Sequence, residues 1–186
     1  SVEDQIKISI IFEKISELIR IKKDEIVMCH HLIKSQFVEM FENKEFDVEL
    51  IKNITEVVTK GTTPSSVGFQ FDDNGTVNFV KIESIDMIGN FIKEKLAHIT
   101  KECDEKLKRS KLKNNDILFS IAGAIGRTAI VTEDILPANT NQALAIIRLN
   151  SNRVNVKFLN YMLNSEYVIK QYNKKKQGVA QINLSL

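Results

Sequence analysis

The side chains best suited to binding in this sequence are amides and an arginine that border short apolar segments. Arg127 follows the glycine-punctuated segment Gly123–Gly126, and Asn139, Asn141 and Gln142 open the next apolar segment. Amide groups donate and accept hydrogen bonds and a guanidinium donates several, so these types suit recognition of a polar ligand. For Asn141 and Gln142 the alternative is capping of a strand and loop, and for Arg127 it is an ion pair with a carboxylate.

Catalytic motifs do not accompany these groups. The sequence has no GxxxxGK[ST] loop, no GxGxxG after a strand and no Asn-Pro-Pro-aromatic motif of amino-methyltransferases. The histidines have no Ser or Cys nucleophile at a recognisable motif, and Cys29 and Cys103 lack the spacing of a zinc site or a disulfide framework. We therefore expect a non-catalytic cytoplasmic protein without metal or cofactor. An enzyme with an unfamiliar site around Asp116 and Arg127 is the alternative.

Short apolar runs bounded by Gly and Asn predict the strands that position the amides. We predict strands at Ile117–Ala122, Arg127–Val131, about Gln142–Leu149 and Val77–Ile82. Gly123 and Gly126 fit a turn that a side chain would forbid, and we expect turn geometry of them rather than ligand contact. Asn74-Gly75 is the expected central pair of a hairpin turn. Helical spacing runs through 157–174, and the first part of 101–113 is also compatible with a helix.

The first forty residues have a different pattern. They contain neither Pro nor Gly, and they begin with the Ser-x-x-Asp spacing of a helix cap. Apolar residues recur every three, four or seven positions, which is the heptad pattern of a coiled coil. They form one seam along the helix: Ile8, Phe12, Ile15, Ile19, Ile26, Ile33 and Met40. A helix of about 40 residues is ~60 Å long, too long for a domain with a radius of gyration of about 15 Å to cover. We therefore predict a coiled-coil helix over residues 1–42 that pairs with a second long helix. A membrane-surface helix is the competing idea, but its polar face would be dominantly basic, and this one is mixed.

Composition places a β-rich domain after this helix. The chain has 186 residues, 43% of them hydrophobic, and a formal net charge of +2. This suits one domain plus an appendage, so we predict an α+β fold with a globular domain over residues 46–186. The sequence has no long apolar span and we expect no membrane partner. The net charge excludes a polycation, although Lys101–Lys113 and Lys174–Lys176 are locally basic. The alternative for each such run is a solvated helix face.

The order of several short motifs resembles a known family. These motifs are Gly61-Thr-Thr-Pro64, the Val77–Ile82 strand, Asp116-Ile-Leu-Phe-Ser-Ile-Ala-Gly-Ala-Ile-Gly-Arg127 and Asn141-Gln142-Ala143. Together they look like the target recognition domain in the DNA specificity subunit of type I restriction–modification enzymes, and the leading helix is similar to the spacer helix of these subunits. The resemblance covers essentially all 186 residues. A whole subunit would carry two recognition domains and two antiparallel spacer helices, and this chain has one of each.

The resemblance implies a reader of double-stranded DNA that directs methyltransferase (modification) and restriction subunits. It also implies a helix partner, either a second copy of the chain or the second half of a subunit. Amide and hydroxyl candidates for base contacts are Thr62, Thr63, Ser65, Ser66, Asn139, Asn141, Gln142 and Gln177. Cationic DNA-binding candidates are Lys60, Lys108, Arg109, Lys111, Arg127, Lys174, Lys175 and Lys176. The alternative function is an oligomerisation protein that binds no DNA and is built on the long helix.

Overall fold

The computed structural model describes residues 1–41, 46, 48–150 and 153–176, and it divides the chain into two compact units, Ser1–Lys44 and Glu45–Leu186. The first unit is helix α1, Val2–Phe41. The Asp4 backbone N–H donates to Ser1 Oγ at 3.2 Å, which is the expected cap. Exposed pairs such as Lys7–Glu3 follow one turn apart along the helix. The predicted long N-terminal helix is thus confirmed, and Glu42 lies outside the described residues.

The second unit mixes short strands with short helices. Its helices are α2 (Ile51–Ile54), α3 (Lys101–Lys106), α4 (Val156–Leu163) and α5 (Glu166–Lys176). Its strands are β1 (Thr55–Lys60), β2 (Val77–Val80), β3 (Ala97–Ile99), β4 (Ile117–Ser120), β5 (Thr128–Ile130), β6 (Ala138–Thr140) and β7 (Leu144–Leu149). The predicted α+β class is therefore confirmed.

The strands form two sheets whose ends meet. One sheet has the order β1-β7-β4-β5 and is antiparallel throughout, and the other has the order β3-β2-β6 with β2 and β6 parallel. The register pairs Lys60 with Ala145 and Ser120 with Leu144, so β1 and β4 end where β7 begins. In the other sheet Val80 pairs with Thr140, so β2 and β6 end level with each other. A link of only three residues joins β6 to β7, which brings these strand ends to one edge of the domain.

Strand β4 lies between two apolar clusters, and this explains why all four of its residues are buried. Leu118 belongs to a cluster that both sheets share. Ile117 and Phe119 point to the other face of the sheet, where Leu159 and Leu163 of α4 cover them. Full burial of one such side chain stabilises the fold by about 1.5–3 kcal/mol. The sheet that contains β4 is therefore well packed on both faces, and it holds the loops at its ends in place.

Several local predictions need correction. The helical segment 157–174 is two helices, because Asn164 and Ser165 end α4 and Ser165 Oγ accepts from Val168 N at 3.5 Å. The turn near Asn74 is not a hairpin turn between paired neighbours, since β2 pairs with β3 and β6. Gly75 N donates to Asp72 O at 2.8 Å, so Asp73 and Asn74 are its central residues. Strand β6 lies between the predicted strands Arg127–Val131 and Gln142–Leu149, where we predicted no strand.

Candidate nucleic-acid interface

Four loops converge at the edge where the strands end. We call this surface the loop edge and define it as residues 60–68, 81–91, 121–127 and 141–143. The backbone of the first loop is bonded to the second sheet, because Thr62 N donates to Thr140 O at 3.1 Å. The loops at 81–91 and 121–127 are joined by Arg127, whose Nη1 donates to Ile85 O at 2.7 Å. Side chains from distant parts of the sequence therefore lie on one surface.

Thr63 and Gln142 form the centre of the loop edge. The Thr63 hydroxyl donates to Gln142 Oε1 at 2.5 Å, although the two residues are 79 positions apart. Gly61 allows this approach: a Cβ at that position would stand 1.9 Å from Thr140 O. Gln142 is exposed, and an amide whose oxygen accepts one bond keeps two N–H donors for a ligand. The pair thus offers an oriented hydrogen-bonding group of the kind that reads base edges.

Exposed cations lie beside this pair. Arg109 Nη2 donates to Thr62 Oγ1 at 3.4 Å, and the turn Lys108–Ser110 that carries it contacts β1. Lys108 and Arg109 are exposed, as is Lys60 at the end of β1. Ser65 and Ser66 are exposed on the neighbouring turn Pro64–Val67, where Ser66 Oγ donates to Thr63 O at 2.6 Å. Cations beside polar loops are suited to contact phosphates.

Asn139 and Lys111 have internal partners instead. Asn139 is 0% exposed, and its Nδ2 donates to Asp104 Oδ1 at 2.8 Å while its Oδ1 accepts from Thr140 N at 2.9 Å. Lys111 Nζ pairs with Glu105 and, at 2.9 Å, with Asp104. These two carboxylates, Glu105 first, raise the pKa of Lys111. The amide of Asn139 therefore cannot reach a base edge from this position, and the ammonium of Lys111 is already paired.

Arg127 forms hydrogen bonds to other residues of the loop edge. Its Nη1 donates to the Ile82 and Ile85 carbonyl oxygens at 3.2 and 2.7 Å, and its Nη2 donates to Met87 Sδ at 3.2 Å. Its partners are thus backbone carbonyls and a sulfur, where we had considered a carboxylate. The alternative of an enzyme site joining Arg127 to Asp116 is wrong, because Asp116 is 0% exposed and bonded to Arg148.

The glycines and Asn141 have turn and capping roles. Gly123 and Gly126 have φ values of +69° and +90°, which confirms the expected turn geometry. Ser120 Oγ closes this turn by donating to Ala124 O and accepting from Arg127 N. Asn141 Oδ1 accepts from Ala143 N at 3.0 Å, the capping alternative of the sequence analysis. Lys174, Lys175 and Lys176 end α5, and their side chains lie outside the described part of the chain, as does Gln177.

Two residues of the loop edge were missed from sequence. Lys81 directly follows β2, and its Nζ lies 5.3 Å from the Phe71 ring centroid and 3.2 Å from Glu83 Oε1. Met87 is 80% exposed at the tip of the neighbouring turn. The signal for Lys81 was its position at the end of a predicted strand. Met87 had no such signal, because an apolar residue beside a strand is normally predicted to be buried.

The described segments contain neither a group of metal-binding side chains nor a helix that could span a membrane. Among these residues no three His, Cys, Asp or Glu side chains are grouped as a metal site would require. No helix of the described chain is long and apolar enough to cross a bilayer.

The chain thus combines one long helix with a β-rich domain whose loop edge carries polar and cationic side chains. The sequence model of the type I restriction modification DNA specificity domain matches residues 43–186, and the chain belongs to this family. DNA sequence recognition is the role that this membership assigns to the chain. Family membership also agrees with the prediction that this chain is a non-catalytic specificity component.

Individual relatives agree with the family. The type I restriction enzyme EcoBI specificity subunit of Escherichia coli is 53% identical over 55 residues, 30% of this chain and 11% of that protein. The crystal structure of the HsdS subunit from Thermoanaerobacter tengcongensis has a TM-score of 0.52 at 18% identity, over 96% of this chain and 44% of that one. A chain from a study of complex assembly and conformational transition of the type I R-M system has a TM-score of 0.56 at 15% identity, over 96% of this chain and 42% of that one. The chain thus spans less than half of each relative.

Proposed function

We propose that this chain reads one part of a double-stranded DNA target within a type I specificity subunit and directs modification and restriction subunits to it in the cytoplasm. The observation that carries the proposal is the Thr63–Gln142 pair on the loop edge of a domain from a DNA specificity family. Gln142 and Thr63 would contact base edges, with Ser65 and Ser66 as neighbours. Lys60, Lys108 and Arg109 would contact phosphates, and the lysines that end α5 are further phosphate candidates from their sequence.

A binding experiment should distinguish base-edge contacts from phosphate contacts. The full-length subunit is first assembled with its modification subunits, and its target motif is found by methylation mapping. Binding to cognate and scrambled duplexes is then measured by fluorescence anisotropy. Replacing Gln142 or Thr63 (Gln142→Ala, Thr63→Val) should cost about 1–3 kcal/mol on the cognate duplex alone, because a base-edge contact exists only there. Replacing Lys108 and Arg109 with Gln should weaken both duplexes alike and lower the salt slope by about 0.9 per neutralised phosphate.

The control substitutions are at residues before the starts of β1 and β2, at the ends of these strands that lie away from the loop edge. Asn74 is an exposed amide before β2 and Lys52 is an exposed cation before β1, so both lie away from the loop edge. Asn74→Ala and Lys52→Gln should leave the affinity and the salt slope unchanged. Equal losses on cognate and scrambled DNA for Gln142→Ala would contradict the assignment of Gln142 as a base contact. A salt slope that Lys108→Gln and Arg109→Gln leave intact would remove the phosphate role of that turn.

We also propose that α1 pairs with a second long helix, from another copy of the chain or from the other half of a subunit. The seam residues are all at least 41% exposed within the chain, and the apolar stripe is wider than the seam because Ile11 and Leu18 are exposed beside it. Apolar side chains that repeat over a 40-residue helix are stabilised when a partner covers them. The pairing should be antiparallel, as in the subunits that the sequence resembles.

The seam can be tested by charge substitution. Ile15→Asp with Ile19→Asp should convert a dimer of this chain to a monomer, since each buried Ile contributes about 1.5–3 kcal/mol that a carboxylate cannot replace. Multi-angle light scattering gives the mass directly. Ile10→Asp with Ile21→Asp is the matched control, because these exposed isoleucines lie on the helix face opposite the seam and should leave the dimer intact. A wild-type chain that is strictly monomeric at high micromolar concentration would contradict pairing with its own copy.

A further inference from the structure

The turn Asp86–Asn90 presents an apolar tip on the loop edge. Met87 is 80% exposed, and Ile88 beside it is 37% exposed. The Asp86 carboxylate holds the turn in shape: its Oδ1 accepts from Ile88 N and Asn90 N at 2.9 and 2.8 Å, and its Oδ2 accepts from Asn90 Nδ2 at 3.1 Å. A bridge between Ile85 and Phe91 closes the base of the turn. The exposed methionine therefore stands on a turn that is held at its base and within its loop.

Two further contacts fasten this turn to the rest of the loop edge. Arg127 donates to the Ile85 carbonyl at the base of the turn and to the Met87 sulfur at its tip. Gly89 packs on β5, where a Cβ would stand 2.7 Å from Thr128 O, and its φ of +92° suits glycine. The turn is thus held from two sides. Met87 and Ile88 therefore present apolar surface on the loop edge, where a bound ligand can contact it.

The position of the tip on the loop edge favours the bound duplex as that ligand. The guanidinium of Arg127 lies at the sulfur, and Lys81 lies on the same loop with its charge shared by Glu83. The Asp86 carboxylate accepts three hydrogen bonds within the turn. The tip is also continuous with the Thr63–Gln142 pair through the end of β2 and Thr140, whose Oγ1 donates to Val80 O at 2.9 Å. A duplex that lies on this pair would extend along the same edge.

We propose that Met87 is an apolar wedge that packs between base pairs of the bound duplex at a partly unstacked step. This inference rests on the proposed function, since it adds a deformation contact to the surface that reads the bases. Proteins insert Met, Leu, Ile or Phe at such steps and bend the duplex there. Arg127 is then a positioning residue: it holds the turn that carries the wedge. Sequence preference would arise at this step from the ease of unstacking rather than from a hydrogen bond.

The test uses the full-length subunit assembled with its modification subunits. The probe is a duplex that carries the methylation-mapped motif with 2-aminopurine placed at successive positions. The modification subunits flip the base that they methylate, so the fluorescence rises at that position whatever Met87 does. Wild-type protein should raise the fluorescence at one further step, and Met87→Ala should abolish this second rise and weaken cognate binding roughly tenfold. Met87→Leu should retain both. The salt slope should not change in either variant, because no phosphate contact is lost. Met28→Ala is the matched control, since Met28 is 69% exposed on α1 and should have no effect on the fluorescence.

Each other outcome overturns a distinct claim. Specific binding without a fluorescence rise at any step other than the methylated position would overturn the wedge and leave the proposed function intact. A rise at the further step that survives Met87→Ala would assign the unstacking to another residue and overturn the role of Met87. If Met87→Ala leaves DNA binding intact but releases the modification subunits on gel filtration, the turn is a protein contact and the wedge is wrong. A wild-type complex without specific duplex binding would overturn the proposed function, and this inference with it.

Discussion

Gly61→Ala is expected to destabilise the domain by about 3 kcal/mol and to remove most cognate DNA binding by the assembled subunit. The added Cβ would stand 1.9 Å from Thr140 O and 2.5 Å from Asn141 O. Both are backbone atoms, one at the end of β6 and one in the link to β7, so no side chain can rotate away to relieve the overlap. The loop that carries Thr63 must then shift from Gln142, and the pair proposed to contact base edges separates. Urea unfolding gives the stability, and anisotropy on the cognate duplex gives the affinity.

Gly68→Ala is the matched control for this change. Gly68 ends the same loop with φ +83°, and nothing lies within 4 Å of a Cβ at that position. Its cost should be only that of a left-handed alanine, about 1 kcal/mol, and the Thr63–Gln142 pair should stay in place. If Gly61→Ala bound cognate DNA as tightly as wild type, the pairing of these two loops would have no part in recognition.

Asp116→Ala is expected to cost about 3–5 kcal/mol of unfolding free energy, because it leaves a charge without its partner in the core. Asp116 is 0% exposed and accepts from Arg148 Nε and Nη2, both at 2.7 Å, and from Lys113 N at 2.8 Å. This contact raises the pKa of Arg148. A guanidinium stays charged in proteins even without such a partner, so Asp116→Ala leaves an unpaired charge. Urea or thermal unfolding of the isolated domain should show the loss directly.

A double substitution separates the charge effect from packing. Asp116→Ala with Arg148→Met removes both charges and should be more stable than Asp116→Ala alone, since no unpaired guanidinium remains. The exposed pair of Arg153 and Glu49, at 3.9 Å, is the control, and Arg153→Met should cost no more than about 1 kcal/mol. A single Asp116→Ala variant as stable as Arg153→Met would show that the buried pair contributes little.

Elements whose signal is local could be predicted from the sequence. The absence of Gly and Pro and the capping Ser1 identify α1, because helix formation depends on neighbours within one or two turns. The strands at Ile117 and Thr128 follow from short apolar runs, and the turn between them follows from two glycines. Strand ends were less exact: β7 begins at Leu144, two residues after the predicted start, because Asn141 and Ala143 close a turn first.

The sequence by itself determined the family, the long helix, most of the strands and the kinds of group that the surface would offer. Only the tertiary structure decided which of those groups share the loop edge. Thr63 and Gln142 meet across 79 positions because the ends of β1 and β6 lie side by side, and no local pattern records such a contact. Asn139 and Asn141 have the same side chain, yet Asn139 is buried because Asp104 and Leu107 meet it there. Burial of a polar group depends on partners that distant segments supply, and chain folding alone brings them together.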